Sequence, residues 1–221
     1  MRFLTLDLYC PDLDAQRSFY SRQLEWQEIT DSEAPLAYQV GYTRLRFREK
    51  ADVPPYHFAF NIPAGQEAEA LDWLKERTEI ISFRGKDVID FSNWEAYAMY
   101  FRDPAGNIVE FIARRPLGLP AIRPFSHKSI AGASEMGVAV RSIRPFYEKL
   151  HQGFGLELFD GSFDKFCAVG DHEGLFIVVD QATKDWFPAG IPAKPAPFSC
   201  TLDVDGTSNT LSYQPENRSE V

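Results

Sequence analysis

The sequence predicts an α+β fold built from repeated βαβββ modules. Short segments alternate apolar and polar residues, which is typical of half-buried strands. Segments with helical spacing of apolar residues follow the first strand of each module. The same order of elements returns after about 55 residues, which indicates an internal repeat. The 221 residues accommodate three such modules and the first strand of a fourth.

The first module is predicted over residues 1–50. Its opening strand, FLTLDLY, places Thr5 and Asp7 on the face opposite to its leucines. The segment CPDLDAQRSFYSRQLEW predicts a helix, with Asp12 as a candidate N-cap. The stretches WQEIT, LAYQV and TRLRFRE then predict three further strands.

The second module is predicted over residues 55–115. Its first strand, YHFAFNI, alternates so that His57 and Ala59 oppose Phe58 and Phe60. The segment PAGQEAEALDWLKER predicts an amphipathic helix. The stretches IISF, DVIDF, AYAMYFR and NIVEFIAR predict strands.

Residues 116–129 are rich in proline and basic residues and lack periodicity, which predicts a linker. Residues 130–221 then carry a third module: the strand EMGVAV, the helix SIRPFYEKLHQ, and the strands GLELF, FCAVG and GLFIVVD. One further strand, FSCTLDV, and a polar tail complete the chain.

Composition excludes several classes of function. A net charge of -9 without a cluster of Lys and Arg argues against nucleic-acid binding. No apolar run reaches the length of a membrane span, and the N-terminal segment lacks the pattern of a signal peptide. Three widely spaced cysteines form no disulfide framework. We therefore expect a cytoplasmic protein with reduced thiols that uses neither membrane nor nucleic acid.

A carboxylate interrupts one of the most apolar strands. In RDPAGNIVEF a tight turn leads directly into a strand that carries Glu110. A buried charge costs several kcal/mol unless it is paired or binds a metal. Glu110 is therefore a candidate metal ligand, a candidate ion-pair partner, or a residue that faces water.

The segments DLDAQRSFYSRQLEW, YHFAFNI and RDPAGNIVEF resemble the vicinal oxygen chelate superfamily, the glyoxalase, bleomycin-resistance and extradiol-dioxygenase group. The resemblance covers residues 1–115 and extends to residues 130–204. It implies paired modules that form open mixed β-sheets with helices on the outside. It also implies a cavity between modules one and two and, in metal-dependent members, one divalent ion held by the first and last strands of the modules.

The resemblance assigns His57 and Glu110 as the ligands contributed by module two, for Zn, Fe, Mn or Ni. Glu110 is in addition a candidate catalytic base. The corresponding residues of module one are Thr5, a poor ligand, and Arg46, which cannot bind a metal. We therefore expect Arg46 to pair with Glu110 in a metal-free cavity. In the alternative, a metal is bound by His57 and Glu110, and Asp7 or a substrate group completes its shell.

Two functions follow. The favoured one is the binding of a small anionic or aromatic molecule, with Arg46 as an anion anchor, Tyr100 as a stacking surface, and Thr5 and Asp7 lining the cavity. The alternative is a metal-dependent lyase or ring-cleaving dioxygenase, so whether the protein is an enzyme stays open. The third module is expected to lack ligands, because its last strand carries no matching carboxylate. Its unpaired edges predict a structural or dimerising role and hence a homodimer.

Overall fold

The computed structural model describes residues 1–215. In the first module, β1 (Arg2–Cys10) leads into α1 (Leu13–Arg17), which continues as a π-helical turn over Ser18–Gln23. The predicted cap is confirmed, because the side chain of Asp12 accepts a hydrogen bond from the backbone N–H of Ala15. The module ends with three strands: β2 (Gln27–Glu28), β3 (Leu36–Val40) and β4 (Thr43–Glu49).

The second module follows the same order. Its elements are β5 (His57–Ile62), α2 (Glu67–Lys75), β6 (Ile89–Phe91), β7 (Ala96–Arg102) and β8 (Ile108–Arg114). The stretch IISF forms no strand and contributes two isolated bridges, from Ile80 to Phe101 and from Phe83 to Lys86. In the predicted linker, short 3₁₀ turns form over Arg115–Leu117 and His127–Ser129.

The third module also repeats the order βαβββ. Its elements are β9 (Gly132–Val140), α3 (Ile143–Phe154), β10 (Leu158–Ser162), β11 (Phe166–Gly170) and β12 (Leu175–Asp180). A short hairpin follows, whose strands β13 (Asp185–Trp186) and β14 (Ile191–Pro192) have two residues each. The chain then adds β15 (Phe198–Val204), as predicted, and β16 (Thr207–Tyr213), a strand that the sequence analysis assigned to the polar tail.

The modules pair differently from the prediction. The third module joins the second in one eight-stranded sheet, with strand order β10-β11-β12-β9-β5-β8-β7-β6. The first module instead pairs with the last two strands, in the order β16-β15-β1-β4-β3-β2. The expected cavity between modules one and two is therefore corrected to a cavity on the sheet of modules two and three. The physical reason is that β9 pairs with β5 in antiparallel fashion and occupies the edge that module one was expected to cover.

This pairing also removes the argument for dimerisation. The first strand of module three has neighbours on both sides within the chain, β12 and β5. The homodimer thus stays a prediction without an unpaired β9 edge to require it.

One large hydrophobic core joins the two sheets. All three helices contribute to it, together with the apolar faces of β1, β5 and β8; examples are Tyr20, Trp73, Phe60, Phe111 and Phe146. The opposite face of the eight-stranded sheet carries a second apolar cluster, which includes Ile112 and Ile177, together with His57, Glu110 and Glu135. The helices thus cover the faces away from the cavity, and the predicted fold class is confirmed.

The turn DPAGN serves to join modules one and two. The buried carboxylate of Asp103 accepts hydrogen bonds from Gln16 Nε2 at 2.9 Å and from the Tyr20 hydroxyl at 2.9 Å, both in the helical segment of module one. It also accepts from the side chain of Asn107 at 2.8 Å and from the backbone N–H groups of Ala105 and Asn107 at 3.0 Å. A buried carboxylate that accepts five hydrogen bonds is compensated for its lost hydration.

Along the described chain, residues 1–215, no helix is long and apolar enough to cross a membrane. The three cysteines, Cys10, Cys167 and Cys200, are free and buried. The cytoplasmic location stays a prediction.

We expect Asp103→Ala to lower the free energy of unfolding by at least about 3 kcal/mol, because it leaves several buried donors without an acceptor, each at a cost of about 1–3 kcal/mol. Urea denaturation followed by circular dichroism measures this. The control is Asp14→Ala in α1, where the carboxylate is 94% exposed and the change should stay within about 0.5 kcal/mol. Equal effects of the two substitutions would show that the turn does not join the modules.

Candidate metal centre

Four neighbouring strands place one row of residues across the eight-stranded sheet. Tyr100 on β7 is opposite Glu110 on β8, Glu110 is opposite Ala59 on β5, and Ala59 is in turn opposite Glu135 on β9. Because the side chain of Ala59 is a single methyl group, the two carboxylates can approach each other over it. The register of the sheet thus brings Glu110 and Glu135 together from two modules.

His57 completes a three-residue cluster. It lies two residues before Ala59 and therefore on the same face of β5. Its Nε2 atom is 3.4 Å from Oε2 of Glu110 and 3.6 Å from Oε2 of Glu135. The three ligand atoms lie within 4.8 Å of one another, and all three residues are buried.

The orientation of the His57 ring favours a lone pair directed at the cluster. Nδ1 lies 3.3 Å from the backbone carbonyl oxygen of Ile108. When Nδ1 carries the hydrogen and donates to this carbonyl, Nε2 is unprotonated and presents its lone pair to the carboxylates. Three acceptor atoms then face one point. Such an arrangement is repulsive unless a cation, either a proton or a metal ion, lies among them.

The separations fit a metal ion. Ligands at about 2.1 Å from a tetrahedral metal lie about 3.4 Å from one another. The two distances from His57 Nε2, 3.4 and 3.6 Å, are close to that value and longer than an ordinary hydrogen bond. One imidazole and two carboxylates are suitable ligands for Zn, Fe or Mn.

Modules two and three use equivalent positions for these residues. In module two, His57 precedes Ala59 by two residues, and Ala59 pairs with Glu110. In module three, Glu135 precedes Gly137 by two residues, and Gly137 pairs with Ile177. Glu135 is thus the counterpart of His57, and Ile177 is the counterpart of Glu110. The cluster therefore has three donors, and an apolar side chain stands at the fourth equivalent position.

The environment of Glu110 favours its protonated form in the absence of a metal. Burial raises the pKa of Glu110 well above its ordinary value, and the negative charge of Glu135 raises it further. The guanidinium of Arg114 and the hydroxyl of Tyr100 oppose this shift in the pKa. Burial also raises the pKa of Tyr100 well above its ordinary value, with Glu110 as the next cause. The Tyr100 hydroxyl therefore remains a proton donor to the carboxylate.

A cavity of about 600 Å³ opens over the cluster. His57, Tyr100, Glu110 and Glu135 line its buried end. Its other walls are largely aromatic: Phe91, Trp94, Phe166, Trp186 and Phe187. Such a mixture of apolar walls and a few convergent polar groups is typical of a small-molecule site.

Two of these aromatic residues come from the proline-rich segment before β15. Trp186 packs 5.8 Å from the ring of His57, and Phe187 packs edge-on at 5.8 Å from Tyr100. Gly137 makes this packing possible, because a Cβ there would lie 2.9 Å from Cη2 of Trp186 and 3.0 Å from Cβ of His57. The segment thus covers the imidazole and forms part of the cavity wall.

The predicted pair between Arg46 and Glu110 is wrong. Arg46 lies in the other sheet, where its Nε is 2.8 Å from Asp31 and its Nη1 is 2.5 Å from Glu33. Asp7, opposite Arg46 on β1, lies 3.6 Å from Nη1. The motif alignment did identify Thr5 and Arg46 as the counterparts of His57 and Glu110. Because module one pairs with β15 instead of β5, these residues never face the cluster.

Of the residues predicted to bind substrate, Tyr100 lines the cavity, whereas Thr5, Asp7 and Arg46 do not. The hydroxyl of Thr5 accepts a hydrogen bond from the backbone N–H of Thr201. Asp7 forms an ion pair with Arg48 at 3.1 Å and lies 3.6 Å from Arg46, the proposed anion anchor.

The sequence analysis missed Glu135 and Arg114. Glu135 stands in the strand EMGVAV at the first-strand position, which was the available signal. The expectation that module three lacks ligands is therefore corrected. Arg114, at the end of β8, donates from Nη2 to Oε1 of Glu135.

Comparison with known structures supports the fold. The chain matches a "putative dioxygenase" from Bacillus subtilis subsp. subtilis str. 168 with a TM-score of 0.59 and 15% identity, covering 81% of this chain and 63% of that chain. It matches a mutant of glyoxalase I from Zea mays with a TM-score of 0.50 and 14% identity, covering 80% of this chain and 66% of that chain. This chain thus spans slightly less than two thirds of either protein. No family model and no curated protein matches it. The similarity confirms the predicted fold of repeated βαβββ modules with open mixed sheets.

We expect Glu110→Gln to stabilise the metal-free protein at neutral pH. Above the ordinary pKa of 4.5, the unfolded chain releases this proton while the folded protein retains it. The contribution of Glu110 to stability therefore falls as the pH rises toward its folded pKa, and the amide removes that loss. The gain in the free energy of unfolding should be present at pH 7 and should shrink toward pH 4, where the unfolded chain also retains the proton.

Thermal unfolding in the presence of EDTA across this pH range measures the difference. The matched control is Glu79→Gln, an exposed glutamate outside the cavity. A Glu110→Gln variant that is less stable than the wild type at pH 7 would contradict the assigned shift in the pKa.

Proposed function

We propose that the protein is a metal-dependent enzyme of the vicinal oxygen chelate type, in which His57, Glu110 and Glu135 hold one divalent ion. The observation that carries this proposal is the convergence of three buried donor atoms within 4.8 Å at the end of a cavity. The argument for a metal-free site rested on Thr5 and Arg46, which lie in the other sheet. The main argument for a metal-free site therefore no longer holds.

The number of donors favours catalysis over a structural metal. Structural zinc sites use four protein ligands, whereas catalytic sites keep a position open for water or substrate. Ile177 replaces the fourth equivalent ligand and itself lines the cavity. The open side of the cluster therefore faces the space that a substrate would occupy.

The cavity walls favour an aromatic substrate. Trp94 lies between Phe91 and Phe166, with ring centroids 6.2 and 6.3 Å away. Such walls bind a flat ring through apolar contact and stacking. We propose a small aromatic compound with two adjacent oxygen atoms, which makes ring-cleaving dioxygenase chemistry the first reaction to test and lyase chemistry on a dicarbonyl the second. A bound divalent ion would supply Lewis acidity toward the two oxygens.

The protein side chains have separate roles in this proposal. Glu110 is the proposed general base, and the Tyr100 hydroxyl donates a hydrogen bond that orients its carboxylate. Trp186 packs on the His57 ring and limits access of water to the imidazole. Phe187 and Trp94 orient the ring of the substrate.

A metal-free binding protein for an aromatic molecule is the second candidate. Arg114 already offsets one carboxylate charge, and a proton on Glu110 would offset the other. Binding of an anionic molecule is no longer favoured, because Arg46, the expected anion-binding residue, is paired with Asp31 and Glu33.

We expect the purified, untagged protein to bind one equivalent of Mn²⁺, Fe²⁺, Ni²⁺ or Zn²⁺ after dialysis against each ion. His57→Ala and Glu135→Gln should each weaken binding more than about 100-fold, because loss of outer partners alone costs about 10–100-fold. Equilibrium dialysis with mass-spectrometric metal analysis measures this.

Two matched controls separate the cluster from other residues. His151→Ala removes a surface histidine, and Arg46→Gln removes a buried cation of the other sheet; neither should change metal binding. If the wild type binds none of the four ions stoichiometrically, the enzyme proposal fails. Screening for aromatic ligands by tryptophan fluorescence then tests the second candidate.

A further inference from the structure

Arg114 is a fully buried cation beside the proposed metal centre. It lies four residues after Glu110 on β8 and therefore on the same face of the strand. Its Nη2 donates to Oε1 of Glu135, and its guanidinium packs 5.3 Å from the ring centroid of Trp94. Neither Nε nor Nη1 has a hydrogen-bond partner among residues 1–215.

We propose that Arg114 is a positioning residue that restricts Glu135 to one metal-facing oxygen and so keeps a coordination position open for substrate. This inference rests on the proposed function, because it assumes a metal bound by His57, Glu110 and Glu135. It adds a residue outside the ligand set that determines how many positions the protein itself fills.

The two oxygens of Glu135 have different partners. Oε1 binds Arg114, whereas Oε2 lies 3.6 Å from Nε2 of His57, inside the cluster. A carboxylate whose two oxygens are both available can bind a metal in bidentate fashion. A charge-assisted hydrogen bond to Oε1 opposes this mode, because the metal would have to compete with the guanidinium for that oxygen.

The position of Arg114 suits this role. It reaches Glu135 from β8 across the intervening strand β5, so the contact spans modules two and three. Burial makes the pair resistant to screening by salt, and the aromatic ring of Trp94 restrains the guanidinium from the side. Glu135 is therefore held by groups that do not depend on the metal.

The positive charge of Arg114 also affects metal binding, because it lowers the negative charge of the donor set. His57 with two carboxylates is a dianionic donor set, and Arg114 reduces the local charge by one. Affinity of oxygen-rich sites rises with the number of ligand charges. Removal of Arg114 should therefore tighten metal binding while closing the coordination shell, whereas a merely structural residue would weaken binding when removed.

The test uses Co²⁺ as a spectroscopic probe and azide as a small exogenous ligand. Co²⁺ is titrated into the metal-free wild type, Arg114→Met and the neighbouring control Arg115→Met at pH 8, followed by visible absorption. In the wild type and the control, azide should alter the Co²⁺ spectrum by entering the open position.

In Arg114→Met, we expect Co²⁺ to bind about 10-fold or more tightly than in the wild type, because one neutralising charge is lost. The Co²⁺ bands should weaken as the coordination number rises, and the azide response should be lost. An azide response equal to that of the wild type would overturn the inference.

A second variant covers the case in which Arg114→Met does not fold. Arg114→Lys keeps the charge but loses the planar geometry of the guanidinium. We expect a reduced azide response with Co²⁺ affinity within about 3-fold of the wild type, since the charge is retained. An unchanged azide response in this variant would equally overturn the inference. Failure of the wild type to bind Co²⁺ would instead reject the proposed metal centre itself.

Discussion

The antiparallel pairing of β5 with β9 is the constraint on which the candidate site depends. It continues one sheet across modules two and three and places Ala59 between Glu110 and Glu135. Neither module has the cluster alone, because module two supplies His57 and Glu110 and module three supplies Glu135. The same pairing orients the face with the polar residues away from the core that contains the helices. The candidate site and the main core thus lie on opposite faces of one sheet.

The two sheets start from equivalent positions and satisfy their charges in opposite ways. In the sheet of module one, Arg46 is surrounded by Asp7, Asp31 and Glu33, so its charge is neutralised by the chain itself. In the other sheet, His57, Glu110 and Glu135 converge, and Arg114 compensates part of their negative charge. A buried group of acceptors that the protein only partly compensates is where an external cation gains the most free energy. This asymmetry explains why one sheet is a candidate metal centre and the other is not.

The local elements were largely predictable because they depend on neighbours in the sequence. Alternation in YHFAFNI predicted which face of β5 carries His57, and Asp12 marked the start of α1, because capping needs only the adjacent turn. The apolar residues Val109 and Phe111, which flank Glu110 on β8, belong to the main core. The stretch IISF was predicted as a strand but makes only isolated bridges, since nearby hydrophobic residues do not by themselves supply a continuous hydrogen-bonded partner.

By itself, the sequence determined the repeated modules, the fold class, and the side of each strand on which His57, Glu110 and Tyr100 lie. These follow from periodicity, which is a property of consecutive residues. Only the tertiary structure decided which modules pair, and with that the place of the cavity, the role of Glu135 and the separation of Arg46 from Glu110. Equivalent modules present similar edges, so their sequences do not distinguish one partner from another. The choice depends on contacts between residues that are far apart in the chain, such as Ala59 with Glu135 and Arg114 with Glu135.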